Sequence, residues 1–248
     1  MTVLVTGGTK GIGLAIAKRL AAHHGRVVLG YHSDDAAAGA ALVEIAQAGG
    51  EAVTVKADVG TIEGCASLIA EIERQGHGLT HIVHSAAMIY PTTLLGADMA
   101  KFRQAVETNG LSLLYLVHAA QHLLGRGSGV VFITSMGARI PSPNYGALGV
   151  GKALAEAIVR YLVAEFAPRG VRINGVAPGL VHTTSVASMV GSEEAALAVV
   201  ERAARSNPSG RASRDSDYAS LVEYLLSPEA EFIQGQVIAA TGGTGVIG

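Results

Sequence analysis

Seven short apolar runs alternate along this chain with longer stretches of helical periodicity, and a chain built that way has few ways to fold. The runs cover 3–5, 26–29, 52–55, 81–83, 130–134, 171–176 and 236–239, and the helical patterns cover 12–23, 35–48, 61–75, 98–124, 145–167 and 214–226. A strand followed by a helix of this length returns the chain to the same end of the sheet, so successive strands run parallel through right-handed crossovers. The predicted fold class is α/β: one domain over 1–248, a doubly wound parallel sheet of about seven strands with helices on both faces. A hydrophobic share of 49%, only 15% charged residues and 32 glycines suit a sheet buried on both sides, with glycine-rich turns at its ends. The alternation fails over 183–213, where a polar, Ala-rich helix (193–206) stands between the sixth and seventh strands. This stretch reads as a lid, with Val186, Met189, Val190, Leu197 and Val200 as its apolar contacts.

The charge pattern excludes several classes of partner. A net charge of −2 with no Lys/Arg cluster predicts no nucleic acid and no anionic membrane surface. No apolar run approaches the ~18 residues that span a bilayer, and the first strand begins at Val3, so the reading is a soluble cytoplasmic protein. Cys65, the single cysteine, fits a reducing compartment and reads as a small buried hydrophobe. The nine histidines show no metal-ligand spacing, and no metal is expected.

Chemistry begins directly after the first strand, in Thr6-Gly-Gly-Thr-Lys-Gly-Ile-Gly13. Gly7, Gly11 and Gly13 permit a tight turn and close backbone approach, and with Thr9, Lys10 and Ile12 they form a cradle for a pyrophosphate at a helix N-terminus. The loop predicts dinucleotide binding. An acid that would bond a ribose 2′-hydroxyl is missing from the tip of the second strand, Leu29-Gly-Tyr-His-Ser33. Lys10, His32 and Ser33 could instead receive a 2′-phosphate, so NADPH is expected over NADH. Asp34 and Asp35 read as a helix N-cap, although either could turn back toward that site. Asp58, followed by Val59, either reaches the adenine edge or caps the next helix.

Tyr145 lies seven residues before Lys152 and ten after Ser135, which ends the fifth apolar run. One helical turn before Lys152 the residue is Leu148, so the phenol stands three residues upstream of the neighbouring position. On a helix that displacement is about 4.5 Å along the axis and about 60° around it.

With Asn109, the run Asn174-Gly-Val-Ala-Pro-Gly179 and Thr183, these residues resemble the short-chain dehydrogenase/reductase superfamily over essentially the whole chain. The resemblance implies a Rossmann-like NAD(P)-binding domain, a cytoplasmic and usually tetrameric enzyme, and subunit contacts through the helices around 98–124 and 145–167. It further implies that Asn109 holds a relay water, unless it is a polar helix kink. Pro178, Gly179, Val181 and Thr183 would then hold the nicotinamide carboxamide, and Ser85 and Ala86 would line the cofactor. Two motifs depart from the family: Asn-Asn-Ala-Gly is His84-Ser-Ala-Ala87, and Asp-Gly-Gly is Thr241-Gly-Gly243. The Tyr-x6-Lys spacing is similar to the bacterial enoyl-(acyl-carrier-protein) reductases, whereas ordinary members have Tyr-xxx-Lys.

That spacing suits a particular chemistry. In carbonyl reduction the hydride lands on the carbon bearing the oxygen, and the donor must reach that oxygen. In an enoyl thioester it lands on the β-carbon, charge gathers on a more distant oxygen, and the donor must move with it. The expected function is NADPH-dependent reduction of an enoyl thioester carried by an acyl carrier protein or coenzyme A. Tyr145 would donate to the enolate oxygen, Ser135 would assist, and Lys152 would bind the nicotinamide ribose. Ketone reduction or alcohol oxidation is the second reading, and a non-catalytic NADP(H) sensor, suggested by the altered His84 loop, is the third.

Overall fold

A computed structural model describes residues 2–245. Its sheet contains β1 (Thr2–Thr6), β2 (Arg26–Tyr31), β3 (Glu51–Lys56), β4 (His81–His84), β5 (Gly129–Ile133), β6 (Arg172–Pro178) and β7 (Val237–Ala240). They lie in the order β3-β2-β1-β4-β5-β6-β7, every neighbour parallel. The fold is the seven-stranded, doubly wound sheet that the alternation predicts.

Successive side chains on a strand point to opposite faces, and the core divides accordingly. Leu4, Val28, Ile82, Phe132 and Ile173 pack on one face against α3 (Ile62–Arg74), α5 (Ser112–Ala120) and α6 (Gly146–Phe166). Val3, Val5, Val27, Leu29, Val83 and Val131 pack on the other against α1 (Gly11–His24), α2 (Asp35–Gln47) and α9 (Asp215–Leu226). Cys65 is fully buried in the first cluster, where burial pushes its thiol up to about 12. After β3 the chain crosses to β4 on the far side of β1. The carboxyl ends of β1 and β4 are therefore the switch point at which doubly wound sheets open a ligand crevice.

Three local features differ from the pattern read in the sequence. The helix expected over 98–124 is broken into α4 (Met99–Val106), a π-helical turn (Glu107–Leu111) and α5. At this turn Gly110 lies so close to α6 that an added Cβ would stand 2.7 Å from the Gly151 carbonyl oxygen. The helix expected from 145 begins at Gly146, with Tyr145 as its N-cap. Between β6 and α9 lie two helices, α7 (Thr184–Val190) and α8 (Glu193–Ser206), joined at Gly191 in a left-handed conformation (φ 97°). Their apolar side chains are poorly packed: Ala196 is buried, while Leu197 is 50% and Val190 37% exposed.

Asn174 shows why its motif matters to the fold. Its amide donates to the Ile233 carbonyl (2.8 Å) and accepts from the Gln236 N–H (2.9 Å), fixing the chain that leads into β7. Asn174 is 1% exposed, so its removal leaves these backbone groups without that partner in a dry interior. Asn174→Ala is expected to lower the unfolding free energy by about 1–3 kcal/mol, read from urea denaturation.

Candidate active site

The glycine loop has the backbone that a phosphate cradle requires. Gly7 and Gly11 adopt positive φ (63° and 51°), and a Cβ on Gly13 would lie 2.1 Å from the Gly7 carbonyl oxygen. Gly7 also abuts Ala86, with an added Cβ 2.8 Å from the Ala86 Cα, which brings Ser85 and Ala86 to the loop. Lys10 is the N-cap of α1 but supplies no side-chain cap, and no acid occupies the first turn. The first turn, beside Thr9 and Ile12, is thus left without a side-chain cap, an arrangement that fits a dinucleotide pyrophosphate. Thr183 closes the far side, its methyl carbon 3.3 Å from where a Gly11 Cβ would stand. Its hydroxyl caps α7 by accepting from the Val186 N–H (3.2 Å). Pro178 ends β6, Gly179 donates its N–H to the Ala240 carbonyl (2.9 Å), and Val181 packs against the core.

At the adenosine end, Lys10 Nζ is 2.7 Å from Asp34 Oδ2, while Asp34 Oδ1 caps α2 through the Ala37 N–H. Asp34 is thus the helix cap expected of it, and it also holds Lys10. Asp35 binds Lys56 Nζ and accepts from the Tyr31 hydroxyl. His32 and Ser33 are exposed at the tip of β2. Asp58, 3.8 Å from His32, does not cap α3: it accepts from the Gly60 N–H (2.9 Å), and Thr61 is the cap. Threonine takes that role because it stands three residues before the N–H that needs a partner, that of Gly64. Val59 is buried beside Asp58.

Ser135, Tyr145 and Lys152 converge at the end of β5. The Tyr145 hydroxyl donates to Ser135 Oγ (3.0 Å), which also accepts from the Gly137 N–H (3.0 Å). Both lone pairs of the serine are then engaged, and its own proton is free to donate outward. Burial raises the Tyr145 phenol above its usual value, only partly offset by this hydrogen bond. Lys152 is 4% exposed, donates to the Ile133 carbonyl (2.7 Å) and lies 4.5 Å from the Phe132 ring centroid. Burial lowers its amine to about 7. Asn109 sits in the π turn, with its amide bonded to the Met88 N–H and carbonyl (2.9 Å each). Both ends of its amide are committed to the chain after β4. A cleft of about 380 Å³ runs past Tyr145, lined by Thr92, Leu94, Arg139, Pro141 and Val150 among others.

Several residues that shape this site carry no obvious signal in the sequence. Asn144 is the one non-glycine residue with positive φ (58°) among those described, and it turns the chain so that Tyr145 stands at the N-cap position of α6. The phenol then folds over Gly137, where a Cβ would fall 2.3 Å from the Tyr145 ring. Glu156, one turn beyond Lys152 and buried, accepts from the Thr134 hydroxyl (2.9 Å) and Arg139 Nε (3.0 Å). It ties down both sides of the Ser135 turn, and its i,i+4 spacing from Lys152 was the available clue.

His84 supplies the missing support in the altered loop. Its Nδ1 is 2.9 Å from Thr6 Oγ1 and its Nε2 is 2.6 Å from Ser112 Oγ, which itself donates to the Thr108 carbonyl (2.7 Å). Ser112 therefore accepts from Nε2–H, and Nδ1 accepts from Thr6. Burial first, and the Lys152 charge second, lower the imidazole to about 3 and keep it neutral. The histidine joins β1, β4 and the π turn.

Residues 7–245 match the family described as enoyl-(acyl carrier protein) reductase. The chain belongs to the short-chain dehydrogenase/reductase superfamily. It is 29% identical to a 1-cyclohexenylcarbonyl-CoA reductase of Streptomyces collinus, over 98% of this chain and 86% of that one. It is 30% identical to a 7alpha-hydroxysteroid dehydrogenase of Escherichia coli, over 97% and 92%. A dehydrogenase/reductase from Sinorhizobium meliloti superposes with a TM-score of 0.87 at 32% identity, covering 99% of this chain and 95% of that one. The protein is an oxidoreductase of this superfamily, whose members use NAD(P)H.

Two predictions follow from the site. Gly137→Ala displaces the Tyr145 ring, so turnover should fall about 100-fold while nucleotide affinity, read by fluorescence titration, is little changed. Lys152 gives a pH signature. Unfolded, its amine holds a proton up to its ordinary 10.5; folded without nucleotide, it loses it near 7. Between these values the unfolded chain binds more protons, so this group makes stability rise with pH from 7 to 10.5 and contributes its full cost below 7. Subtracting the denaturation profile of Lys152→Met should expose that slope.

Proposed function

We propose that this reductase uses NADPH to reduce the C=C bond of an enoyl thioester. The observation that carries the reading is the anchor of the phenol: Tyr145 stands at the N-cap position of α6 while Leu148, one turn from Lys152, is a buried apolar residue. The family description and the Streptomyces relative, named for a cyclohexenylcarbonyl thioester, support the same substrate class. When bound, the reduced nicotinamide supplies the hydride that adds to the β-carbon. Negative charge then gathers on the thioester oxygen, where Ser135 hydrogen-bonds through its free proton and Tyr145 turns its hydroxyl to donate beside it, and the saturated thioester forms when the enolate takes a proton from solvent at its α-carbon. Lys152 lends positive charge and binds the nicotinamide ribose, and Asn109 keeps the π turn in register against Met88.

NADPH is preferred because the tip of β2 carries no free acid, Asp34 being committed to Lys10 and to the α2 cap. A 2′-phosphate bound there would draw Lys10 from Asp34 and meet His32 beside it. Residues 183–213 close over the acyl chain with their exposed apolar side chains, and the acyl group arrives on coenzyme A or a carrier protein. Exposed Leu114, Val150 and Tyr161 on α5 and α6 suit a homotetramer assembled through these helices. Among the described residues no helix is long and apolar enough to cross a membrane.

Carbonyl reduction is the second reading, favoured by the same 3.0 Å bond: by folding back onto Ser135, the phenol forms a hydroxyl pair that would also serve a ketone oxygen. Assays with NADPH and crotonyl or acetoacetyl thioesters separate the two. Turnover of the enoyl substrate is expected, and turnover of the keto substrate alone assigns the second reading. Tight NADPH binding without hydride transfer to either would leave a nucleotide sensor. Tyr145→Phe should lower turnover with NADPH affinity maintained, whereas Lys152→Ala weakens both.

A further inference from the structure

At the opposite end of α1 from the glycine loop, two adjacent histidines and a glutamate from α9 meet at one point. His23 Nδ1 and His24 Nε2 are each 2.7 Å from the same oxygen, Glu223 Oε1. All three atoms lie within 4.8 Å of one another, a convergence that no other group of three His, Cys, Asp or Glu side chains makes among the described residues. Neighbouring helix residues point about 100° apart, so they rarely reach one target. Here one ring uses its near nitrogen and the other its far nitrogen, with ring centroids 6.2 Å and ring planes 74° apart.

We propose that His23, His24 and Glu223 form a binding site for a divalent first-row transition cation of the Zn2+ class, which clips the end of the cofactor helix to α9. Two imidazoles and one carboxylate suit Zn2+, Co2+ or Ni2+ and not Mg2+ or Ca2+, which prefer all-oxygen shells. Around a tetrahedral ion with bonds near 2.0 Å, ligand atoms stand about 3.3 Å apart, so each nitrogen and the oxygen need separate by only about 0.6 Å. Each imidazole binds neutral, His23 keeping its proton on Nε2 and His24 on Nδ1. The other carboxylate oxygen, Oε2, accepts from Arg19 Nε, so the guanidinium orients the ligand as an outer-shell partner does. Glu223 is 16% exposed, while His23 is 52% exposed and leaves an approach open from solvent. The carboxyl end of α1 adds the negative end of the helix dipole, and Gly25 ends the helix immediately beyond.

The test is titration of EDTA-stripped protein with Co2+, read by visible absorption, followed by displacement with Zn2+ and thermal melting with each ion. One equivalent per chain and a higher melting temperature with Zn2+ are expected, with no shift from Mg2+. His23→Ala, Glu223→Gln and the His23→Ala/His24→Ala pair should each weaken binding at least about tenfold while NADPH-dependent turnover is retained. His122→Ala, which removes a surface histidine paired with Glu73, should change nothing. Folding of each variant is checked by circular dichroism, and His23→Ala, the most exposed of the three positions, keeps the comparison available if the pair is unstable. Absence of Co2+ binding in the wild type, or equal binding in His23→Ala and wild type, overturns the site.

Discussion

Three successive residues at the end of β5 are each bound by a side chain of α6 or of the residue that precedes it. Lys152 holds the Ile133 carbonyl, Glu156 holds the Thr134 hydroxyl, and Tyr145 holds the Ser135 hydroxyl. Those contacts locate the Ser135–Tyr145 hydroxyl pair relative to the sheet, and they require α6 to lie close against both β5 and the π turn. Gly110, Gly149 and Gly151 make that approach possible: a Cβ on any of them would meet backbone or Asn109 atoms at 2.5–2.7 Å. A lysine and a glutamate enter a dry interior here because each has specific partners. Lys152 has a carbonyl and an aromatic face, and Glu156 has a hydroxyl and a guanidinium.

The crevice beside this seam depends on a second buried network. Thr6, His84 and Ser112 pass hydrogen bonds from the end of β1 to the π turn. A neutral imidazole can accept at one nitrogen and donate at the other, which is what this path requires. The family motif is changed here, yet each ring nitrogen of the substituted histidine has a hydrogen-bond partner. The position still performs the task of tying two strand ends to the helix that carries Asn109. The altered loop is therefore a repacked support, and it keeps Ser85 and Ala86 against Gly7.

Most of the architecture was legible because periodicity reports burial. Strands covered on both faces read as apolar runs, and amphipathic helices read at their own spacing. The glycine loop was legible for a related reason, since only glycine permits its positive φ angles and close approaches. The π turn was not legible: Phe102 through Leu124 keeps an apolar helical rhythm, and the break arises from contacts with Gly151 and Met88, distant in sequence. The helix at 184–190 was missed because it buries no residue and so imposes no pattern. Asp58 precedes a helix as a cap does, but the geometry of the turn gives that role to Thr61.

The order of residues alone determined the parallel sheet, the positive-φ glycine turn after β1 and the set Ser135, Tyr145 and Lys152, since each follows from local spacing or from the conformational freedom of particular residues. The direction of the Tyr145 phenol was decided only in three dimensions. A helical register carries it away from position 148, yet Asn144 in a left-handed conformation and the bare face of Gly137 return its hydroxyl to Ser135. The meeting of His23 and His24 with Glu223 is likewise a product of how α9 packs on α1. Spacing along a chain fixes where a side chain is attached; the neighbours brought in by folding fix where its reactive atom lies.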